Sequence, residues 1–315
     1  MRILVLFAAS AAFLALASFF FPGDGVPLAG PEDKAEETKE LEDPAVAAPA
    51  PVLTLSREVV EQSGAFVARV EGMSGGSAPK GRFLGKEVSF FSVGDSWMAI
   101  LGVDAKRELK AYPFEADFGD AMTEAVEVRV VRRDFPVTKL AVTPELEEQG
   151  YTPATIAENI GAVENKALQE VLGGYTETFF ANQPFFYPLN TIRDVGAYGN
   201  IRESGSVSLQ HLGVDLDAAT GTNVYSVNSG RVVLSDDFTN YGKIIVIDHG
   251  FGIYSLYLHL DKRFVVVGDS VTRGEIMGHA GNTGYSIAPH LHFSIKAAGE
   301  SVDPLRFIET VNAEF

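Results

Sequence analysis

The sequence predicts a mainly β protein: a small N-terminal β-sandwich-like domain, one linking helix and a larger antiparallel β domain. Three observations carry this expectation. Short apolar runs broken by turn residues fill both flanks of the chain's middle, one stretch between them has helical periodicity, and glycine is frequent (31 residues). The 315 residues have room for two domains with extensions, and 46% hydrophobic content supplies a core.

Arg2 precedes an uncharged apolar run, Ile3 to Phe21, that stops at Pro22-Gly23-Asp24. One positive charge, a long apolar stretch and the small triplet Ala15-Leu16-Ala17 have the layout of a secretory signal peptide. The run is also long enough to serve as an uncleaved membrane anchor. Residues 1–22 are therefore expected to direct export, to the periplasm or cell envelope, by one route or the other. Residues 23–51 form an acidic, Pro-rich linker: Pro27, Pro31, Pro44, Pro49 and Pro51 deny regular structure, and Glu32 to Asp43 is mostly acidic.

Residues 52–143 carry the first β pattern. Val88 to Val93 ends at Gly94-Asp95, Trp97 to Leu101 ends at Gly102, and Val126 to Val130 alternates with period two. Residues 144–183 contain the helix. Thr152-Pro153 supplies a cap and a first-turn proline, Ile156, Ile160, Val163, Ala167 and Val171 recur at helical spacing, and Gly173-Gly174 stops it. Residues 184–315 return to strands, at Val224–Val227, Arg231–Leu234, Lys243–Ile247 and Ile253–Leu258.

Charge and composition exclude several functions. A net charge of −17 does not suit nucleic-acid binding, which needs clustered Lys and Arg. Without cysteine there are no disulfides, thiolate ligands or cysteine nucleophiles.

All six histidines (211, 249, 259, 279, 290 and 292) fall in the last 105 residues. His290-Leu-His292 leads into an alternating strand, where residues two apart share a face. Gly213 and Val214-Asp215-Leu216 favour extended chain over a helix, which sets His211 and Asp215 on one side. Two strands can thus deliver four zinc-competent groups to one cleft, with His259 at a third strand end. Three ligands and an open position would make a catalytic zinc site, four a structural one. No His-Glu-x-x-His helix is present.

These residues resemble the lysostaphin/LytM-type zinc endopeptidases of the M23 family. The resemblance rests on His211-x-x-x-Asp215, Tyr257-Leu-His259-Leu260 and His290-Leu-His292. It extends through Tyr198-Gly199 near Arg202, Gly221-Thr222, Ile247-Asp-His-Gly250, Gly268-Asp-Ser-Val271, Gly281-Asn-Thr-Gly284 and Val302-Asp-Pro304. It implies a barrel-like LytM peptidase domain (a duplicated hybrid motif), preceded by an accessory β-domain. It also implies Zn2+ held by His211, Asp215 and His292, with His259 and His290 as the catalytic pair. The implied activity is hydrolysis of peptidoglycan cross-link peptides. Alternatives are a non-enzymatic activator of another wall hydrolase and a peptidase of non-wall proteins. Some members place a tyrosine just before the first zinc histidine. Here Ser204 to Gln210 has none, and Tyr198 is a distant candidate. His249, His279, Asp248 and Asp303 are read as turn or structural residues.

Overall fold

The computed structural model describes residues 50–73, 77–119, 122–181 and 183–315. The export segment and nearly all of the linker lie outside the described residues. Among the described residues no helix is long and apolar enough to cross a membrane.

The N-terminal strands form two sheets. One runs β1 (Val52–Leu55), β3 (Ala65–Glu71), β7 (Ser96–Gly102), β6 (Phe91–Val93). The other runs β2 (Val59–Glu61), β9 (Thr123–Val131), β8 (Ala111–Asp117), β4 (Lys80–Phe83), β5 (Lys86–Ser89). Phe66, Val70 and Leu101 of the first meet Phe83, Phe114 and Val128 of the second in one core, with Phe66 edge-on to Phe83 and Phe114. The expected sandwich is present.

The first sheet is buried on both faces. Ala65, Val67, Met98 and Ile100 turn away from the sandwich and join the core of the C-terminal domain. This explains why Trp97 to Leu101 reads as an apolar run without alternation. Arg133 pairs with Asp303 at 2.7 Å and Lys86 with Glu300 at 2.9 Å across the same junction. The two β regions therefore share a core, and a fragment starting at residue 184 would expose it.

The connecting helix is real but interrupted. A short α1 (Pro144–Glu148) precedes α2 (Pro153–Glu158), a π-helical turn (Asn159–Glu164) and α3 (Asn165–Leu172). Thr152 caps α2 reciprocally with Thr155, and Gly173 closes α3. The π turn carries Glu164 into a buried position, where Oε1 accepts from the Asn240 N–H at 2.6 Å. Glu164 Oε2 and Asn240 Oδ1 are buried without a partner. Burial pushes the Glu164 carboxyl up from its ordinary value. Its ionised form thus carries a penalty that is absent below the unfolded pKa and complete above the folded one. Glu164→Gln, which removes the buried charge and keeps an oxygen to accept from the Asn240 N–H, is expected to stabilise the protein at neutral pH by about 1–3 kcal/mol. The gain should fade as pH falls toward about 4. Thermal unfolding at both pH values checks it; an unchanged or lower Tm at neutral pH would contradict it.

The C-terminal domain is built on a ten-stranded sheet. Its main path runs β11 (Asp194–Gly196), β14 (Val214–Asp217), β21 (His290–Ala297), β18 (Ile253–Arg263), β17 (Gly242–Asp248), β16 (Gly230–Phe238), β19 (Ser270–Val271). β15 (Asn223–Tyr225) and β20 (Ile276–Ala280) pair beside β18, and β22 (Glu300–Val302) lines β21. A separate three-stranded sheet joins β10 (Val137–Lys139), β12 (Ile201–Ser204) and β13 (Val207–Gln210), with β10 parallel to β12. Asp303, expected as a turn former, instead caps a further helix, α4 (Pro304–Asn312). Phe307, Ile308 and Val311 of α4 enter the shared core.

Candidate metal centre

The strand order brings the predicted residues together. β21 lies between β14 and β18, so its histidines stand between His211-Asp215 on one side and His259 on the other. Asp215 is directly opposite His292, and Asp217 is opposite His290. His290 and His292 share a face of β21, as their spacing predicts.

His211 Nε2, Asp215 Oδ1 and His292 Nδ1 form a triangle with sides of 2.9, 2.9 and 3.0 Å. Ligands of a tetrahedral zinc, each about 2.0–2.1 Å from the ion, stand about 3.3 Å apart, so the triangle is of the right size and slightly contracted. The outer ring nitrogens set the tautomers. His211 Nδ1 is 3.1 Å from the carbonyl oxygen of Ala197, which can only accept, so Nδ1 carries the proton. Ser294 Oγ spends its hydrogen on Leu212 O at 2.9 Å and accepts from His292 Nε2–H at 2.9 Å. Two nitrogen lone pairs and a carboxylate oxygen therefore converge within hydrogen-bonding distance with no hydrogen between the two nitrogens. That arrangement calls for a cation, and the donors fit zinc.

Electrostatics point the same way. Burial, helped by the His211 and His290 charges, outweighs the raising effect of Asp215 and pushes His292 down to about 4, so it is neutral and able to ligate. Burial works against ionisation of Asp215, but contacts with His211, His290 and His292 outweigh it and hold the carboxyl far below its usual range.

The other two histidines border the triangle. His290 Nδ1 faces Ala288 O at 2.8 Å, leaving Nε2 turned toward Asp215 Oδ1 at 3.5 Å. Burial opposes protonation of His290, but Asp215 raises it above an ordinary imidazole. His259 Nδ1 faces Thr283 O at 2.8 Å, and its ring centre is 4.9 Å from that of His290. Burial, followed by the charges of His290 and His292, pushes His259 down to about 3. His259 sits at a bulge in β18 where it pairs with β17, with a φ of 60°, a left-handed conformation rare outside glycine. Strain of this kind concentrates at functional positions.

Two glycines let the backbone approach. A Cβ on Gly213 would lie 2.4 Å from both His292 Nε2 and Ser294 Oγ, and one on Gly196 would lie 2.3 Å from Asp215 Oδ2. Gly196 carries no sequence signal for such a role, whereas Ser294 does, since positions 290, 292 and 294 alternate onto one face.

The remaining residues are placed elsewhere. Tyr198 is buried and donates to Ser301 O at 3.0 Å, and burial pushes its hydroxyl well up, so it is committed to structure. His249 is held between Ser229 O and Ser255 Oγ, both at 2.8 Å. The His279 ring packs edge-on against Phe264. Asp248 accepts from Gly250 N–H and Thr176, as a turn residue does.

Comparison with known proteins places a family match over the same part of the chain. Residues 209–304 match the model of peptidase family M23, a span that holds all five candidate site residues. The chain is 38% identical over 96 residues to the peptidoglycan DD-endopeptidase ShyA of Vibrio cholerae, covering 30% of this chain and 22% of that protein. It is 35% identical over 96 residues to the murein hydrolase activator EnvC of Escherichia coli, covering 30% of this chain and 23% of that protein. The matched region thus spans less than a quarter of either relative. A solved structure assigned to peptidase M23 from Pseudomonas aeruginosa superposes with a TM-score of 0.57 at 23% identity, over 78% of this chain and 93% of that one. This is a likeness of fold, and it takes in the N-terminal β region. The C-terminal region of the chain is a peptidase family M23 domain.

Proposed function

We propose that the protein is an exported zinc endopeptidase that hydrolyses peptide cross-links of bacterial peptidoglycan. The observation that carries this reading is the convergence of two tautomer-fixed imidazole nitrogens and one carboxylate oxygen beside two non-ligand histidines. His211, Asp215 and His292 would hold the zinc. When bound, zinc lowers the pKa of a water to about 7 and polarises a carbonyl oxygen.

The chain's own residues supply the proton traffic. His290 takes the proton of the attacking water at Nε2, because Nδ1–H is committed to Ala288 O. The water oxygen bonds to the peptide carbonyl carbon, and His290 returns the proton to the amine nitrogen as the C–N bond breaks. His259, kept neutral by burial and with Nδ1–H committed to Thr283 O, presents Nε2 as an acceptor. Of the two roles open to it from sequence, orienting the attacking water suits this tautomer better than donating to an oxyanion.

The likeness to EnvC favours one second reading, an activator of another wall hydrolase. Incubating purified sacculi with the full chain, with and without chelator, separates the two. The enzyme reading predicts solubilisation by the chain alone, lost with chelator and restored by zinc. Solubilisation only when another wall hydrolase is added would support the activator reading.

A further inference from the structure

The Tyr198-Gly199…Arg202 stretch resembles the family's opening motif, yet the site described so far gives Arg202 no role. Arg202 Nη2 donates to Asp215 Oδ2 at 2.9 Å, while Asp215 Oδ1 faces His211 and His292. The two carboxylate oxygens are thus divided, one to a guanidinium and one to the metal triangle. Both partners are largely shielded, with side-chain exposures of 29% and 13%. The Gly196 backbone also packs closely against the Asp215 carboxylate, so the carboxylate has little room to rotate.

Arg202 is itself mounted rigidly, and from outside the M23 match at 209–304. It is the central residue of a three-stranded arrangement, opposite Leu209 of β13 and opposite Thr138 of β10. β10 belongs to the connection that leaves the N-terminal sandwich. Backbone bonds from Ile201 N–H to Pro136 O (2.8 Å) and from Leu140 N–H to Glu203 O (2.8 Å) clamp both ends of this pairing. Thr138 Oγ1 adds a bond to Asn200 Oδ1 at 2.9 Å.

We infer that Arg202 is a positioning residue that holds Asp215 as a one-oxygen metal ligand, so that part of the metal affinity is set by the sheet containing the inter-domain strand β10. This rests on the zinc reading above. A free carboxylate can swing to offer both oxygens and fill the position a catalytic metal keeps open. Engaging Oδ2 with a fixed guanidinium prevents this and keeps the ligand aimed.

The test uses the full chain carrying Arg202→Met, which keeps the apolar stem and removes the donors, and Arg202→Lys, which keeps the cation but not the fork. Zinc affinity is measured by chelator competition, and the Tm of each metal-free protein reports folding. Arg202→Met should bind zinc about 10–100-fold more weakly with an unchanged metal-free Tm. Arg202→Lys should lie between Arg202→Met and wild type. With cobalt(II) in place of zinc, Arg202→Met should give weaker visible bands than wild type, as the coordination number rises. Wild-type affinity and wild-type cobalt bands in Arg202→Met would overturn the inference. Should Arg202→Met not fold, wild-type affinity in a folded Arg202→Lys would overturn it. Failure of the wild-type chain to bind zinc would sink the zinc reading itself, and zinc binding without sacculus hydrolysis would sink only the enzyme reading.

Discussion

Replacing His292 with alanine is expected to abolish stoichiometric zinc binding, whereas replacing His290, two residues away, should leave zinc bound and remove turnover. The physical difference lies in which atoms meet. His292 Nδ1 is within 3.0 Å of both other members of the triangle, and deleting it leaves two ligands, too few for a stable site. His290 Nε2 stands 3.5 Å from Asp215 Oδ1 and belongs to the border of the site. Losing a general base typically lowers rate about 10²–10⁴-fold. Metal analysis of dialysed proteins and sacculus solubilisation read the two effects separately. Equal zinc content in the His292→Ala and wild-type proteins would refute the ligand assignment, and wild-type turnover in His290→Ala would refute the base assignment.

Gly213→Ala should damage the centre nearly as much, although it alters no ligand and no charge. Gly213 is not in the left-handed region, so the backbone itself would accept alanine. The obstacle is contact: the new methyl would fall 2.4 Å from His292 Nε2 and Ser294 Oγ and 2.6 Å from His292 Cε1. Either the β14 edge moves away from β21 or the His292–Ser294 hydrogen bond breaks. The first costs about 1–3 kcal/mol of overpacking. The second releases the tautomer of a ligand and should weaken zinc about 10–100-fold. Zinc titration together with thermal unfolding distinguishes the two routes. Wild-type values in both would show that the close approach of Gly213 does not matter.

Much of this site was legible in the sequence because strand geometry is short-range. The spacing of His290 and His292 specifies a shared face, and Gly213-Val214-Asp215 specifies extended chain. What pairs those strands is not local. The placing of β21 between β14 and β18 comes from the order of a ten-stranded sheet, which period-two patterns do not encode. His259 shows the limit. Its neighbours read as an ordinary strand, but a bulge against β17 and a positive φ turn the side chain into the site. The helix was predicted from its cap, its periodicity and its glycine stop, all of which are present. Its π turn was not, because it depends on the buried contact between Glu164 and Asn240. The only sequence sign of the shared core is the unbroken apolar run at Trp97 to Leu101, and α4 is hard to read because Asp303-Pro304 suits a turn equally well.

The most direct test of the central claim is mass spectrometry of what the zinc-loaded full chain releases from purified sacculi in ¹⁸O-labelled water. Hydrolysis of a cross-link predicts fragments with a new amine on one side and a new carboxyl carrying one ¹⁸O on the other, absent from the His290→Ala reaction. Intact cross-links after incubation with a chain that holds stoichiometric zinc would contradict the account.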